Sequence, residues 1–478
     1  MSPSALRFDR YRPAEARRLR ALTRTDQWRR VLDDGPFLAH CAGNRIPASS
    51  PPSQLRGVPG FLIRANGEHV RALVAQGVAD ETTLARALGD WRRALDAEPR
   101  HPLLFLGMTV TLDCSFKPRC LYCNQAHADT LLGVADWKRL IEEAAIPDPP
   151  YVYISGGEPL LLGEAIWGDD GLAAHAARLG CAVNINTNAA LISPLVAMRI
   201  VKSGVSRIHV SLDAADPGIQ EILFRRPARV GAVWRGIRNV LIAREALQSD
   251  HPRIHINCVM TKLNLDSVPA LLQAVWSMRP VAPGGAGSLD DFAFHLIPVG
   301  GRSNAHLRPS AEQWRRFYTD TWEEAGRAWQ SEQASAGVVE ADRQPLEAVV
   351  PFANPFLRVD HHMALDEYCE LAAQGIYWQG ALCDACWVAP TQAYVLPDGS
   401  QHWCGGHAIR RPEPMGDVRE AGLRANIRAG VERLGRLPGP ECAGCAGATC
   451  VINQSTLAAL RVHVRELLDA HRSPAPAP

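Results

Sequence analysis

Between about residues 103 and 300, short apolar stretches alternate with longer segments whose apolar residues recur at helical spacing. The strand candidates are LLFLGMTVTL, YVYIS, AVNINTN, RIHVSLD, RIHINCVM and FAFHLIPV. Helical segments such as TLLGVADWKRLIEEAAI and VGAVWRGIRNVLIAREALQ lie between them. Six strands separated by helical crossovers predict a parallel α/β sheet, either doubly wound or closed into a barrel. Chemistry in such folds gathers at the carboxyl ends of the strands.

The rest of the chain has different patterns. The first hundred residues read as arginine-rich amphipathic helices around a Pro/Gly/Ser-rich connector, a mainly helical domain that could dock a peptide. Two further helical stretches enclose a turn-rich segment that is dense in cysteine, and the SPAPAP end is expected to be disordered. The predicted divisions are 1–100 helical, 101–305 sheet, 306–375 helical bridge, 376–455 cysteine-rich and 456–478 helix with tail.

Composition narrows the class of protein. The 478 residues carry a formal net charge of +1, which gives no field that would attract nucleic acid or an anionic membrane. No apolar run reaches the roughly 20 residues of a membrane span, and the charged N-terminus lacks a secretory core. We therefore expect a cytoplasmic protein with neither nucleic-acid nor membrane partners. In that reducing compartment, clusters among the 13 cysteines indicate metal or redox chemistry more than disulfides.

Three cysteines follow the first strand: Cys114, Cys120 and Cys123. Three thiolates on one loop can ligate three irons of a four-iron cluster and leave the fourth iron open for chemistry. A zinc site, which needs a fourth ligand such as the nearby His127, is the alternative on ligand count.

Polar motifs end the next three strands. Tyr153-Ile-Ser-Gly-Gly-Glu-Pro159 offers two glycines for close backbone approach and a carboxylate for an ammonium group. Asn186-Thr-Asn188 and Ser211-Leu-Asp213 supply small polar groups suited to hydroxyls and a carboxylate. Each motif alone is an ordinary turn, but their order at successive strand ends favours a ligand site.

With these motifs the sequence resembles the radical S-adenosylmethionine (SAM) superfamily over roughly residues 103–300. The resemblance implies a partial (β/α)6 TIM-like barrel, an open [4Fe–4S] cluster on the three cysteines, and SAM as cofactor. It also implies cleavage of SAM to a 5′-deoxyadenosyl radical, with an external flavodoxin- or ferredoxin-like electron donor. The family's SAM contacts map onto Tyr122, Gly156, Gly157, Glu158, Pro159, Asn188, Ser211 and Asp213, with Arg225 as a further candidate. One departure is the spacing: five residues separate the first two cysteines, where the family usually has three.

A second set of cysteines comprises Cys383, Cys386, Cys404, Cys442, Cys445 and Cys450. A Pro-Asp-Gly turn before Cys404 predicts a hairpin. The arrangement resembles the SPASM and twitch extensions of radical SAM enzymes, which implies one or more auxiliary iron–sulfur clusters. No cysteine follows Cys450, so two complete four-cysteine clusters cannot form, and a four-cysteine zinc site remains an alternative. We interpret His402, Trp403 and His407 as packing or surface residues.

Proteins that join this barrel to such an extension commonly modify ribosomally made peptides or proteins, which is the leading hypothesis. A radical SAM enzyme of small-molecule or cofactor biosynthesis is the alternative, and a non-catalytic zinc- or cluster-binding scaffold is the alternative from another class. No catalytic residue stands out from the pattern. Cys369, Asp384 and His295 are candidates for a substrate-facing group.

Overall fold

We describe the fold from a computed structural model of the chain. It describes residues 6–49, 103–125, 128–225, 229–280, 292–335, 338–346, 350, 364–376, 391–410 and 413–434. Among these residues, no helix is long and apolar enough to cross a membrane.

Nine strands are present in the described ranges. They are β1 (Phe105–Thr109), β2 (Tyr151–Ser155), β3 (Ala182–Thr187), β4 (Val205–Ser211), β5 (Arg253–Met260), β6 (Phe292–Pro298), β7 (Gln392–Val395), β8 (Ser400–His402) and β9 (Gly416–Asp417). All six predicted strands of the barrel region are confirmed, each within a few residues of its predicted ends.

The helices fall into three groups along the chain. Before the sheet come α1 (Pro13–Thr23), α2 (Asp26–Asp33) and α3 (Gly35–Gly43). Among the strands of the barrel lie α4 (Val134–Ala144), α5 (Glu164–Trp167), α6 (Leu172–Arg178), α7 (Pro194–Lys202), α8 (Pro217–Phe224), α9 (Val230–Leu247) and α10 (Val268–Trp276). After β6 come α11 (Ala311–Arg316), α12 (Trp322–Ser335), α13 (Leu365–Ala373), α14 (Gly405–Arg410) and α15 (Leu423–Leu434).

Local chemistry explains where several of these helices begin. Ser193 and Asp216 stand at the N-caps of α7 and α8, and their side chains accept hydrogen bonds from the backbone N–H groups of Val196 and Ile219. Each cap is followed by a proline at the first helical position, whose missing N–H costs nothing there. The caps and prolines determine where these helices begin, and therefore how long the loops after β3 and β4 are. These loops carry the polar motifs.

One sheet contains all nine strands in the order β6-β5-β4-β3-β2-β1-β7-β8-β9. The first six strands pair in parallel and in sequence order, as successive βα units require. On one face, side chains such as Ile208, Val210, Ile254 and Ile256 have no exposed surface and belong to the core that includes the helices. The other face is lined largely by polar and aromatic residues.

That second face is concave. The rings of Tyr153 on β2 and His209 on β4 lie 5.7 Å apart, and those of His209 and His295 on β6 lie 4.7 Å apart. One strand intervenes in each case, so a flat sheet would separate the two backbones by roughly 9.5 Å. The rings meet because the sheet curls towards this face. The predicted partial (β/α)6 barrel is therefore confirmed, with this face as its interior.

The C-terminal hairpin joins the same sheet. The predicted turn at 397–399 is present, with the N–H of Gly399 donating to the carbonyl of Leu396 at 3.0 Å and antiparallel pairing of β7 with β8. The sequence did not predict that β7 pairs in parallel with β1, in register from Phe105 opposite Gln392. The hairpin therefore extends the barrel sheet beyond its first strand.

The described N-terminal helices pack on the barrel. Trp28 is buried and donates from Nε1 to Oδ1 of Asn239 on α9 at 2.8 Å. Arg238 of the same helix donates from Nε to Oε1 of Glu15 at 2.6 Å, and Glu15 is 1% exposed. Residues 6–49 thus share the core of the barrel. The domain boundaries and the peptide-docking role predicted for residues 1–100 stay predictions.

Candidate functional site

The cysteine loop begins where β1 ends, and three contacts tie it to the barrel's carboxyl edge. Tyr122 donates from its hydroxyl to Oδ2 of Asp213 after β4, at 2.6 Å. Asn304, after β6, donates to the carbonyl of Tyr122 at 2.8 Å, and the N–H of Leu121 donates to the carbonyl of Leu223 at 2.8 Å. The cysteines are therefore held at the end of the barrel where the sequence predicted chemistry.

The pKa values of Cys114 and Cys120 are raised, in part by neighbouring thiols of the same loop. Burial is the main cause that raises the pKa of Cys120, and Asp213, Cys123 and Cys114 raise it further. The pKa of Cys114 is also raised, by burial first, while the N–H of Phe116 donates to its sulfur at 3.4 Å. Thiolates that raise each other's pKa lie within electrostatic reach, and bound iron would relieve that repulsion. The donor set fits an iron–sulfur cluster with three protein ligands.

The two glycines after β2 pack against the backbone at the start of the cysteine loop. A Cβ on Gly156 would overlap the carbonyl oxygen of Thr111, and one on Gly157 would overlap that of Asp113. The N–H of Gly157 donates to the Thr111 carbonyl at 2.8 Å, and the N–H of Glu158 donates to the Asp113 carbonyl at 2.7 Å. Only glycine permits this close approach of two backbones. The motif therefore fixes the start of the cysteine loop as well as its own turn.

Glu158 is enclosed by protein. Its Oε1 accepts from Thr187 at 2.8 Å and from the N–H of Leu160 at 3.1 Å, while Oε2 accepts from the N–H of Asn188 at 2.8 Å. Its side chain has no exposed surface, and burial raises its pKa to about 7. The carboxylate thus joins the ends of β2 and β3. Its predicted contact with the ammonium group of SAM stays a prediction.

Asp213 has the same character. It accepts from Tyr122, from the N–H of Val259 at 2.8 Å and from Nε2 of Gln220 at 3.2 Å. Burial raises its pKa to about 6, and these donors partly oppose the rise. The carboxylate therefore links the cysteine loop to β4 and β5. Its predicted contact with SAM stays a prediction.

The other predicted SAM contacts lie along the same edge. The Asn188 amide donates from Nδ2 to Oγ of Ser115 in the cysteine loop at 3.0 Å. Ser211 ends β4 and is half-buried, and Pro159 is buried at the start of the turn after Glu158. Arg225 is exposed just after α8, in the left-handed conformation. Contact with SAM remains a prediction for these residues.

Of the second cysteine set, only Cys404 lies in the described residues; Cys383, Cys386, Cys442, Cys445 and Cys450 lie outside them. The Cys404 sulfur accepts from the N–H of His407 at 3.3 Å. His402, Trp403 and His407 are buried, as the packing interpretation predicted. The predicted auxiliary cluster therefore stays a prediction.

The three candidates for a substrate-facing group separate widely. Cys369 is buried in α13, within the helical bridge, and burial raises its pKa to about 11. Asp384 lies outside the described residues. His295 lies on β6 in the barrel interior, where its Nδ1 is 3.1 Å from Oδ1 of Asn257.

Sequence reasoning missed two histidines that meet His295. His209 on β4 and His255 on β5 are paired in register, and their rings stack with centroids 5.0 Å apart. The signal was present as the repeated tripeptide Arg-Ile-His, at Arg207–His209 and Arg253–His255. Because the strands are parallel and in register, an identical tripeptide places like residues side by side on the same face.

Comparison with known proteins agrees with this site. Residues 108–275 match the model of the family described as Radical SAM superfamily. The matched range includes the cysteine loop and the carboxyl ends of β1 to β5. The match confirms the predicted radical SAM domain.

Two curated relatives match in part. The AdoMet-dependent heme synthase of Methanosarcina barkeri is 26% identical over 195 residues, 40% of this chain and 50% of that protein. The PqqA peptide cyclase of Rhodopseudomonas palustris is 27% identical over 176 residues, 37% of this chain and 43% of that protein. The chain thus spans about half the length of these relatives. The solved structure of Streptococcus suis SuiB bound to S-adenosylmethionine aligns over 77% of this chain and 75% of that one, with 16% identity and a TM-score of 0.46.

Proposed function

Because residues 108–275 match the Radical SAM superfamily, we propose that this protein cleaves SAM reductively and uses the radical to abstract hydrogen from a substrate. The observation that carries the proposal is the loop of Cys114, Cys120 and Cys123, held at the carboxyl edge of the barrel by the Tyr122–Asp213 hydrogen bond. When bound, a [4Fe–4S] cluster would supply the electron that cleaves SAM to methionine and the 5′-deoxyadenosyl radical.

The protein's own residues have two tasks in this proposal. The three cysteines hold iron as thiolates, which requires each of them to lose a proton on binding. The glycine motif and Asp213 hold the loop in place, so a cluster bound there would lie at the same edge of the barrel as Asn188 and Ser211. A loop fixed in this way positions SAM without rearranging during the reaction.

The test is anaerobic reconstitution followed by measurement of iron, sulfide, zinc and 5′-deoxyadenosine with SAM and dithionite. The intact protein should hold about four irons or more and form 5′-deoxyadenosine. Cys120→Ala should abolish product, whereas Cys181→Ala, a buried thiol outside the loop, should leave it unchanged. Zinc without iron, together with no product from the intact protein, would favour the scaffold alternative.

We propose a ribosomally made peptide or protein as substrate. The partial match to a PqqA peptide cyclase supports this class, while the partial match to a heme synthase supports the small-molecule alternative. An open cleft of about 840 Å³ adjoins the cysteine loop and is lined by charged residues of both signs, including Arg119, Asp398 and Arg419. A cleft of this kind suits a polar chain that enters from solvent.

Synthetic peptides that cover the small reading frames flanking the gene are the probe for this class. A peptide substrate should raise 5′-deoxyadenosine formation and lose or exchange hydrogen, as read by mass spectrometry in deuterated buffer. If none of these peptides changes and a tetrapyrrole or nucleotide does, the small-molecule alternative holds. The formation of 5′-deoxyadenosine without substrate is measured first. A failure of the peptide hypothesis can therefore be distinguished from a failure of the proposed SAM cleavage.

We also propose at least one auxiliary cluster on the second cysteine set, with an external flavodoxin- or ferredoxin-like donor supplying electrons. In a variant with Cys114, Cys120 and Cys123 all changed to Ala, about four irons should remain. Adding Cys404→Ala should lower that residual iron, whereas Cys369→Ala, at a buried thiol of the helical bridge, should not. Residual zinc in place of iron would indicate the tetrahedral zinc alternative.

A further inference from the structure

The barrel interior contains a group of three histidines that the proposed reaction does not use. His209, His255 and His295 come from the neighbouring strands β4, β5 and β6. One ring nitrogen of each lies within 4.8 Å of the others, and the ring centroids are 4.7 to 5.3 Å apart. Because strands set these positions, the three side chains converge without help from a loop.

In the described part of the chain, two of the three imidazoles have a buried ring nitrogen without the partner that such groups usually have. His209 and His255 are each 6% exposed, and within the described residues Nε2 of His209 and Nδ1 of His255 accept or donate no hydrogen bond. A buried nitrogen without a partner costs about 1 to 3 kcal/mol. The two nitrogens belong to a group of three side chains that lie close enough together to share one ligand.

The state of the rings suits a metal. Burial lowers the pKa of all three imidazoles, and Arg207 lowers it further, which favours the neutral form of the rings. Neutral imidazole is the form that binds metal, and a neighbour that orients the ring is typical of such ligands. Asn257 is such a neighbour for His295, because its Oδ1 lies 3.1 Å from Nδ1 of the ring. The amide nitrogen of Asn257 in turn donates to Oδ1 of Asn186 at 3.0 Å.

We propose that His209, His255 and His295 bind one divalent transition-metal ion in the barrel interior, with zinc the best fit. Three imidazoles and an open fourth position are a ligand set that zinc accepts. Zinc–nitrogen bonds of about 2.0 Å require the nitrogens to lie roughly 3.3 Å apart. The side chains therefore close by about an ångström on binding.

The surroundings predict what fills the fourth position. Arg207 lies on the same face of β4 as His209, two residues earlier. Arg207 and Arg253 both lower the pKa of His255, so positive charge lies near the site, and none of the three proposed ligands is a carboxylate. An anionic oxygen, as hydroxide or a carboxylate, would balance this charge. The ion would then bind such a group inside the barrel.

The experiment uses the full-length chain with Cys114, Cys120 and Cys123 changed to Ala, so that the iron of the predicted SAM site does not contribute. Cobalt and zinc are added anaerobically, excess metal is removed, and the bound metal is counted. The same is done for His209→Gln and His255→Gln, with His306→Gln as the control because His306 is exposed. Glutamine keeps a polar group of similar length, and circular dichroism with thermal unfolding checks the fold of each variant.

The parent and the His306 control should bind one equivalent of metal more than either interior variant. Cobalt in that equivalent should give visible bands without the intense sulfur-to-metal absorption of cysteine sites. Zinc should also raise the thermal midpoint of the parent and the control, as any ligand specific for the folded state does, and this rise should be smaller in the interior variants. Equal metal content in parent and interior variants, or cobalt bands of thiolate character only, would overturn the proposal. The result is independent of SAM cleavage, which the assay does not measure.

Discussion

Among the described residues, buried polar side chains at the carboxyl edge of the barrel have hydrogen-bond partners, whereas some of those in the barrel interior do not. At the edge, Glu158 and Asp213 are fully buried, and each accepts three hydrogen bonds from neighbouring elements. In the interior, His209 and His255 are nearly as buried, but each keeps a ring nitrogen without a partner in the described residues. Satisfied groups hold structure together, whereas unsatisfied groups indicate a place for a ligand. We therefore expect the two carboxylates to hold the strand ends and the cysteine loop in place, and the imidazoles to bind the proposed metal ion.

The largest effect expected from this comparison is that of Asp213→Ala. The change leaves the hydroxyl of Tyr122, the N–H of Val259 and the amide of Gln220 without their acceptor. We expect a loss of about 4 kcal/mol in the free energy of unfolding, from several unsatisfied buried donors. Urea unfolding of the cluster-free protein measures it. Asp213→Asn, which keeps one acceptor oxygen, should lose less; equal losses would contradict a hydrogen-bonding role.

Glu158→Gln should give the next largest effect, and a pH-dependent one. Burial raises the pKa of Glu158 from 4.5 to about 7, so between these values the folded state binds the proton more tightly than the unfolded state. Its contribution to stability is therefore full below about pH 4.5 and falls as pH rises to about 7. We expect the stability of the wild type relative to Glu158→Gln to fall by about 2 to 3 kcal/mol over this range.

Unfolding curves of the two cluster-free proteins at several pH values provide the measurement. Taking the difference removes Asp213 and every other group that titrates in both proteins. A flat difference, or one that rises with pH, would show that the protein donors of Glu158 outweigh its burial.

Tyr122→Phe should have a smaller effect that reaches the cysteine loop. It removes the 2.6 Å hydrogen bond to Asp213 and no buried volume beyond one oxygen. A hydrogen bond to a charged group contributes about 1.5 to 3 kcal/mol, and Asp213 keeps two other donors, so we expect the lower end. Slower iron incorporation during reconstitution should accompany this loss. Tyr318→Phe, at a buried tyrosine of the helical bridge, is the control and should reconstitute normally.

The smallest effect is predicted for His255→Phe in metal-free protein. The ring that is removed has an unsatisfied nitrogen, and a phenyl ring can keep its stacking against His209. Stability should therefore change by less than about 1 kcal/mol, or rise. A loss as large as that of Asp213→Ala would contradict the distinction between the two regions.

The sequence was enough for the strands and the cysteine loop, because short apolar runs and turn motifs are local signals. The arrangement of the strands as a partial barrel came from the family resemblance, since the pattern alone also allowed a doubly wound sheet. The sequence did not predict the partners of Glu158, because Thr187 and the Asn188 backbone lie about 30 residues further along the chain. It missed the pairing of β7 with β1 for the same reason, as nearly 300 residues separate them. The histidine group was recoverable in principle, since the repeated Arg-Ile-His tripeptide on paired strands predicts adjacent side chains. The contact of these two histidines with His295 could not be predicted, because it depends on the curvature of the sheet.

The central claim is that Cys114, Cys120 and Cys123 hold a cluster with one iron open to SAM. Electron paramagnetic resonance of the dithionite-reduced protein, with and without SAM, tests it most directly. The reduced protein should give a four-iron signal whose g-values change on adding SAM, and the SAM-sensitive part should be absent when the three cysteines are changed to Ala. A signal indifferent to SAM, or one that survives loss of all three cysteines unchanged, would contradict the assignment.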